Sequence, residues 1–148
     1  MGIYEKVNQE MISAAKEKDK LRLSTVRLIK TALHNREIDL KRPLNDEESL
    51  QLLSAMVKQR RDSIEQFTQG GRMDLVEKEE AELKVIRTFM PEQMSVEDIE
   101  REIEEAIREA DAAGIKDMGK VMKVLMPRLT GKADGKLEGE KVKARLSA

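Results

Sequence analysis

The sequence contains no cysteine and no tryptophan. Without cysteine there is no disulfide, no thiolate nucleophile and no zinc site built on sulfur. That composition fits a reducing compartment, and a cytosolic protein is expected. Aromatic residues are nearly absent: Tyr4, Phe67 and Phe89 are the whole set. Leucine, isoleucine, valine, methionine and alanine must therefore fill the core, which favours helices over sheets. His34 is the only histidine, too few ligands for a transition-metal site, and no cofactor is expected. No apolar run approaches the roughly 20 residues of a membrane span. The opening stretch MGIYEKVNQEMISAAKEKDK lacks the apolar segment of a secretory signal. It also has Lys6 where a myristoylation motif needs serine or threonine. Neither export nor a membrane partner is expected.

What the chain has in quantity is charge. Of its 148 residues 39% are charged and 39% hydrophobic, enough for a modest core in one domain or two small ones. The net charge of −1 hides an uneven distribution. Residues 1–73 have 14 basic and 11 acidic groups, residues 74–111 have 5 and 14, and residues 112–148 have 9 and 4. Asymmetry of this kind points to a polyanion partner for the basic ends. The plainer reading is mutual salt bridging between solvated helix faces.

Helical periodicity runs through the whole chain, with no strand-like alternation and no repeat of fixed period. Ile3, Val7, Met11, Ile12 and Ala15 predict a helix over residues 3–18. Asp19 caps the next, over 20–41, with Leu21, Val26, Leu28, Ile29, Leu33, Ile38 and Leu40 as its apolar positions and Pro43 as its stop. Asn45-Asp46-Glu47-Glu48 is a helix start. Leu50, Leu53, Val57, Ile64 and Phe67 follow in a seven-residue pattern that Arg60 interrupts, up to about Gln69 and Gly70-Gly71. A fourth helix is predicted over 73–89. The stretch PEQMS at 91–95 reads as a domain boundary, and Ser95 caps a fifth helix that ends at Ala113-Gly114. A sixth follows Asp117 and is limited by Pro127, a turn covers TGKADG at 130–135, and a last short helix covers 137–146. The expected fold is all-α: an N-terminal domain of long helices at 1–91 and a compact three-helix domain at 95–148.

Several catalytic readings fail on spacing. Gly131-Lys132 suggests a phosphate loop, but Met126 stands where the pattern needs glycine and Ala133 where it needs serine or threonine. Nothing near His34 suggests a nucleophile triad. The carboxylate runs at 77–82 and 97–105 read as solvated faces. Met118, Met122 and Met126 form a stripe that reads as core, the alternative being an adaptable binding face.

The basic residues near the C-terminus do form a pattern. Lys116, Lys120 and Lys123 fall on the polar side of the sixth helix. Arg128, Lys132 and Lys136 continue through the turn, and Lys141, Lys143 and Arg145 follow on the last helix. Gly119, Gly131 and Gly135 would let backbone amides approach a phosphate. No aromatic residue lies among them, so base stacking is not available. RNA bound here would be recognised by backbone and shape.

The segment DMGKVMKVLMPRLTGKADGKL at 117–137 resembles the signature of the GatB/YqeY family. AAKEKDKLRLSTVRLIKTALHNREI, KQRRDSIEQFTQGGRMDLVEKEEAEL and FMPEQMS resemble the free-standing YqeY proteins of bacteria, so the likeness covers essentially the whole chain. It implies two helical domains, the second related to the tail of the GatB component of glutamine-dependent aminoacyl-tRNA amidotransferases. In those enzymes the tail grips the tRNA body, while other parts release ammonia from glutamine and activate the misacylated residue. The matching tail positions here are Gly119, Val121, Met122, Lys123, Gly131, Lys132 and Ala133. Asp134-Gly135 stands where the amidotransferase tail often has Asn-Pro.

The expectation is therefore a cytosolic accessory module, non-catalytic by itself, that binds tRNA or structured RNA through Gly119, Lys120, Lys123, Arg128, Gly131, Lys132, Gly135 and Lys136. A translation-related protein is a second expected partner. Carbon–nitrogen ligation with glutamine as amide donor is expected only within a larger complex. The alternative is a helical protein–protein adaptor working through residues 20–69 and the acidic stretch 74–111.

Overall fold

The computed structural model describes residues 2–133 and 135–148, with Lys136 described for its backbone alone. Among the described residues there are seven α-helices and no strand: α1 (Ile3–Lys16), α2 (Lys20–Leu40), α3 (Asp46–Gln69), α4 (Met73–Arg87), α5 (Val96–Ala110), α6 (Met118–Leu129) and α7 (Gly135–Ser147). A short 3₁₀ turn, Ile115–Asp117, leads into α6. The chain divides into two compact units, Met1–Pro91 and Glu92–Ala148.

In the first unit α1 lies along α2, and α3 along α4. Ile3, Val7, Val26, Ile29, Leu33, Leu53, Met56, Val57, Ile86 and Phe89 form the buried core. The helix starts follow the predicted chemistry. Asp19 Oδ1 accepts the Arg22 amide at 3.2 Å. Asn45 Oδ1 accepts the Glu48 amide at 2.8 Å while Glu48 Oε1 accepts the Asn45 amide at 3.2 Å, a reciprocal capping box. One stop matches expectation and one differs. α2 ends at Leu40, within a residue of the predicted end, and its cap Lys41 turns left-handed at φ 57 two residues ahead of Pro43. α4 ends at Arg87, and residues 88–90 continue as a tighter turn that seats Phe89 in the core.

The periodicity overcounted the core. Ile12, Leu21, Leu28 and Ile38 are exposed, at 56%, 36%, 48% and 59%. α2 has more apolar residues than one contact stripe holds, and only Val26, Ile29 and Leu33 lie in the core, beside a buried Thr25. Thr25 is satisfied there because its hydroxyl donates to the Leu21 carbonyl at 2.9 Å.

Arg60, the interruption in the α3 seam, proves to be an inward-facing charge. Its Nε lies 3.5 Å from Glu82 Oε2 of α4, with the two side chains 13% and 10% exposed. That nitrogen makes no hydrogen bond. Attraction between these charges has to offset the cost of removing both from water.

In the second unit Ile99, Ile103, Ala106 and Ile107 of α5 meet Val121, Leu125 and Leu129 of α6 and Val142 of α7. Ser95 Oγ caps α5 by accepting the Asp98 amide at 3.1 Å. Val96, the first residue of the helix, is 52% exposed despite its apolar side chain. α5 stops at Ala110 rather than at Ala113-Gly114, because Asp111 turns left-handed at φ 50. Pro127 lies in the last turn of α6. It has no N–H to offer the Lys123 carbonyl, and the helix ends two residues later. The methionine stripe is not the core of α6: Met118 and Met122 only flank it, and Met126 is 53% exposed. α7 begins at Gly135, two residues ahead of the prediction.

Two outcomes test this description. Glu82→Leu alone should destabilise the protein by about 3 kcal/mol in urea denaturation, because Arg60 is left buried without a counter-charge. Adding Arg60→Met should restore most of that loss; a pair no more stable than the single variant would contradict it. The second concerns Glu48, whose carboxyl is held down at about 2 chiefly by hydrogen bonds from Arg42, then by the Asn45 amide. A carboxylate depressed in the fold contributes stability that is complete above its unfolded value and is lost as pH falls toward its folded one. Glu48→Gln should therefore lower Tm at pH 7, and the gap to wild type should close as pH falls from about 4.5 to about 2. A gap unchanged across that window would refute the assignment.

Candidate functional site

The eight residues singled out from sequence all belong to the second unit, but the fold treats them differently. Three helices build it, α5, α6 and α7, each in contact with the other two. Glu100 meets Lys141 and Glu104 meets Arg145, the same interval of 41 residues each time. Two pairs at one interval set α7 parallel to α5 in a single register. Between these helices lies a groove of about 440 Å³ with Ile103 and Ala144 among its lining and these four charged residues around it.

Lys116, Lys120 and Lys123 are all exposed, spaced four and three residues apart, which keeps them on one side of the 3₁₀ turn and α6. Lys120 Nζ lies 3.8 Å from Asp117 Oδ1 with its own side chain 71% exposed, a loose pairing. Asp117 is otherwise occupied: it accepts the Ala113 amide at 2.9 Å, and that hydrogen bond holds its carboxyl below the ordinary range. Among the described residues Lys116, Lys123, Lys132 and Lys143 make no ion pair. Gly119 sits within the lysine row, where a Cβ would meet nothing within 4 Å. Glycine gains the chain no packing at that point and costs helix stability, up to about 1 kcal/mol.

Arg128 is placed differently. Its Nη2 donates to Glu109 Oε2 at 2.5 Å, and its Nη1 lies 3.8 Å from Glu102 Oε2, both on α5. The bond from Arg128 holds the Glu109 carboxyl below its usual range, and the same bond raises Arg128. Lys141 Nζ reaches Glu100 at 3.3 Å, and Arg145 holds Glu104 through both Nε and Nη2. Three of the strip's cations are thus committed to α5.

The glycines separate as well. Gly131 is buried with φ 77, in the left-handed region that favours glycine. Its carbonyl accepts Gln93 Nε2 at 2.8 Å, and the next carbonyl, of Lys132, accepts the Met94 amide at 2.9 Å. The turn therefore anchors residues 93–94, and its glycine has a reason that requires no ligand. The Lys132 side chain remains exposed. Gly135 is exposed at the start of α7, and the Lys136 side chain lies outside the described residues.

The α5 carboxylates and the Gln93–Met94 anchor were missed from sequence. A signal for the first existed: Glu100 and Glu104 have the same four-residue spacing as Lys141 and Arg145. In the first unit a cavity of about 280 Å³ is lined by Lys6, Gln9, Glu10, Arg22 and Phe89 among others. Its arginine is already held by Glu10 at 2.7 Å, Glu17 at 2.6 Å and Ser13 at 3.1 Å. Among the described residues no group of three His, Asp or Glu is placed to hold a metal ion, and no helix is long and apolar enough to cross a membrane.

The chain is 38% identical over 85 residues to "Altered inheritance of mitochondria protein 41, mitochondrial" of Lachancea thermotolerans, covering 57% of this chain and 46% of that protein. The namesakes of Vanderwaltozyma polyspora and Eremothecium gossypii are 36% identical over 91 residues and 35% identical over 85. Those matches cover 61% and 57% of this chain and 47% and 46% of the relatives, so it spans about half of their length. The family model described as "Yqey-like protein" matches residues 4–146. With nearly every residue inside that match, the chain belongs to the YqeY-like family.

Proposed function

We propose that the protein is a non-catalytic accessory module that binds tRNA or another structured RNA, in a cytosolic setting, through the lysine row of its second unit. The observation that supports this best is the combination of Lys116, Lys120 and Lys123 on one exposed side with Gly119 set among them and Lys132 exposed at the nearby turn. A glycine with open space above it leaves room for a backbone to come close, and the lysines supply mobile point charges suited to phosphate. The likeness of residues 117–137 to the amidotransferase tail supports the choice of tRNA. Nothing in the proposal calls for turnover by the isolated chain; amide transfer belongs to a larger complex.

The attraction is local. Residues 92–148 have 11 Lys or Arg against 13 Asp or Glu, so the unit as a whole does not draw in a polyanion. Affinity should be modest and strongly salt-dependent.

One observation favours a second reading, a protein–protein adaptor: Leu21, Leu28 and Ile38 are exposed along one side of α2. A translation-related protein is the partner that reading would assign.

A titration with bulk tRNA at 50 and 200 mM salt, run on the wild type and on K120E/K123E/K132E, separates the two. The proposal expects low-salt binding with a log–log slope of about 3 to 4, somewhat under one for each of the four lysines in contact, and its loss in the variant. A folded wild type that binds no tRNA at the lower salt, or a variant that binds equally well, would favour the adaptor.

A further inference from the structure

We infer that the carboxylates of α5 act as an internal counter-anion that keeps Arg128 out of the RNA footprint and limits affinity. This rests on the RNA-binding reading and concerns how that same site is regulated.

The basic strip does not face water as one surface. Arg128 lies between Glu109 at 2.5 Å and Glu102 at 3.8 Å with only 34% of its side chain exposed. Glu105, on the same helix, adds to the negative field that Arg128 experiences. An RNA phosphate can engage this guanidinium only by displacing Glu109, and it would then lie beside carboxylates of its own sign. Like charges forced together in that way oppose binding. The lysine row meets no comparable obstacle, because its one partner, Asp117, is 3.8 Å from Lys120. The α5 face therefore divides the cations into a working set and a withheld set. What reaches the withheld set must neutralise or move α5, so a second partner acting on α5 would raise RNA affinity without touching the RNA site.

The test uses the full chain with bulk tRNA as the probe. Glu102→Gln with Glu109→Gln removes the counter-anion while preserving side-chain shape. Glu77→Gln with Glu80→Gln, both exposed on α4, makes the same change in net charge elsewhere. The inference expects the first double variant to bind about tenfold tighter, the worth of one good charged contact. Its salt slope should steepen by nearly one unit, and Arg128→Gln added to it should abolish the gain. The α4 control should gain less than twofold. Should the α5 double variant lose its helical circular dichroism, Glu109→Gln alone serves, with about a threefold gain expected on the same affinity arithmetic. Equal gains in both double variants, or none in the α5 variant while the wild type binds, would overturn the inference and leave the RNA-binding reading standing. No binding by any variant or the wild type at low salt would overturn both.

Discussion

The second unit depends on the meeting of α5, rich in glutamate, with the cations of α6 and α7. Glu100–Lys141 and Glu104–Arg145 set the register of α7, and Glu102 with Glu109 fixes Arg128 at the end of α6. The apolar core supplies most of the stability here, as Ile103, Leu125, Leu129 and Val142 are buried at 0–2% exposure. A stripe of isoleucines, however, does not distinguish one register from its neighbour a turn away. The charges do so in part: a slip of one turn keeps only one of the two pairs and sets either Arg145 against Arg108 or Lys141 against Val96. Partly exposed pairs of this kind contribute little each, and their role is selection rather than strength.

That arrangement has a consequence for function. Cations used to dock helices already have a carboxylate partner that a ligand must displace, and those left over are defined by the same contacts. The lysines of α6 remain available because they point away from α5, on the side opposite Val121, Leu125 and Leu129. Gly119 among them is the residue least explained by packing. Gly131 is the reverse case, a glycine fully accounted for by its own backbone and by its contact with Gln93. Treating the two as one phosphate-approaching set, as their motif invites, merges a structural device with a surface feature.

Much of the fold was legible because helix signals are local. Asp19, Asn45 and Ser95 cap as their chemistry requires, and the all-helical class follows from the scarcity of aromatics and the absence of strand alternation. Misjudged positions were those where a tertiary choice decides among local equivalents. Leu28 and Ile29 are neighbours of similar hydropathy, yet only Ile29 faces the core. The methionine stripe of α6 lies one step around from the true core row. Arg60 looked like a fault in a seam because Glu82 is 22 residues away in sequence and only the hairpin brings it close. For the same reason the basic strip read as one surface: charge counts along a chain do not reveal which charges are already answered by another helix.

The central claim is that this division among the cations is real in solution. Nuclear magnetic resonance of the side-chain nitrogens reports it directly: lysine Nζ and arginine Nε signals followed during addition of tRNA at low salt. Lys120, Lys123 and Lys132 should shift from the first additions, while Arg128 and Arg145 keep the signals of carboxylate-bound guanidinium groups. Arg128 and Arg145 shifting together with the lysines would contradict the account.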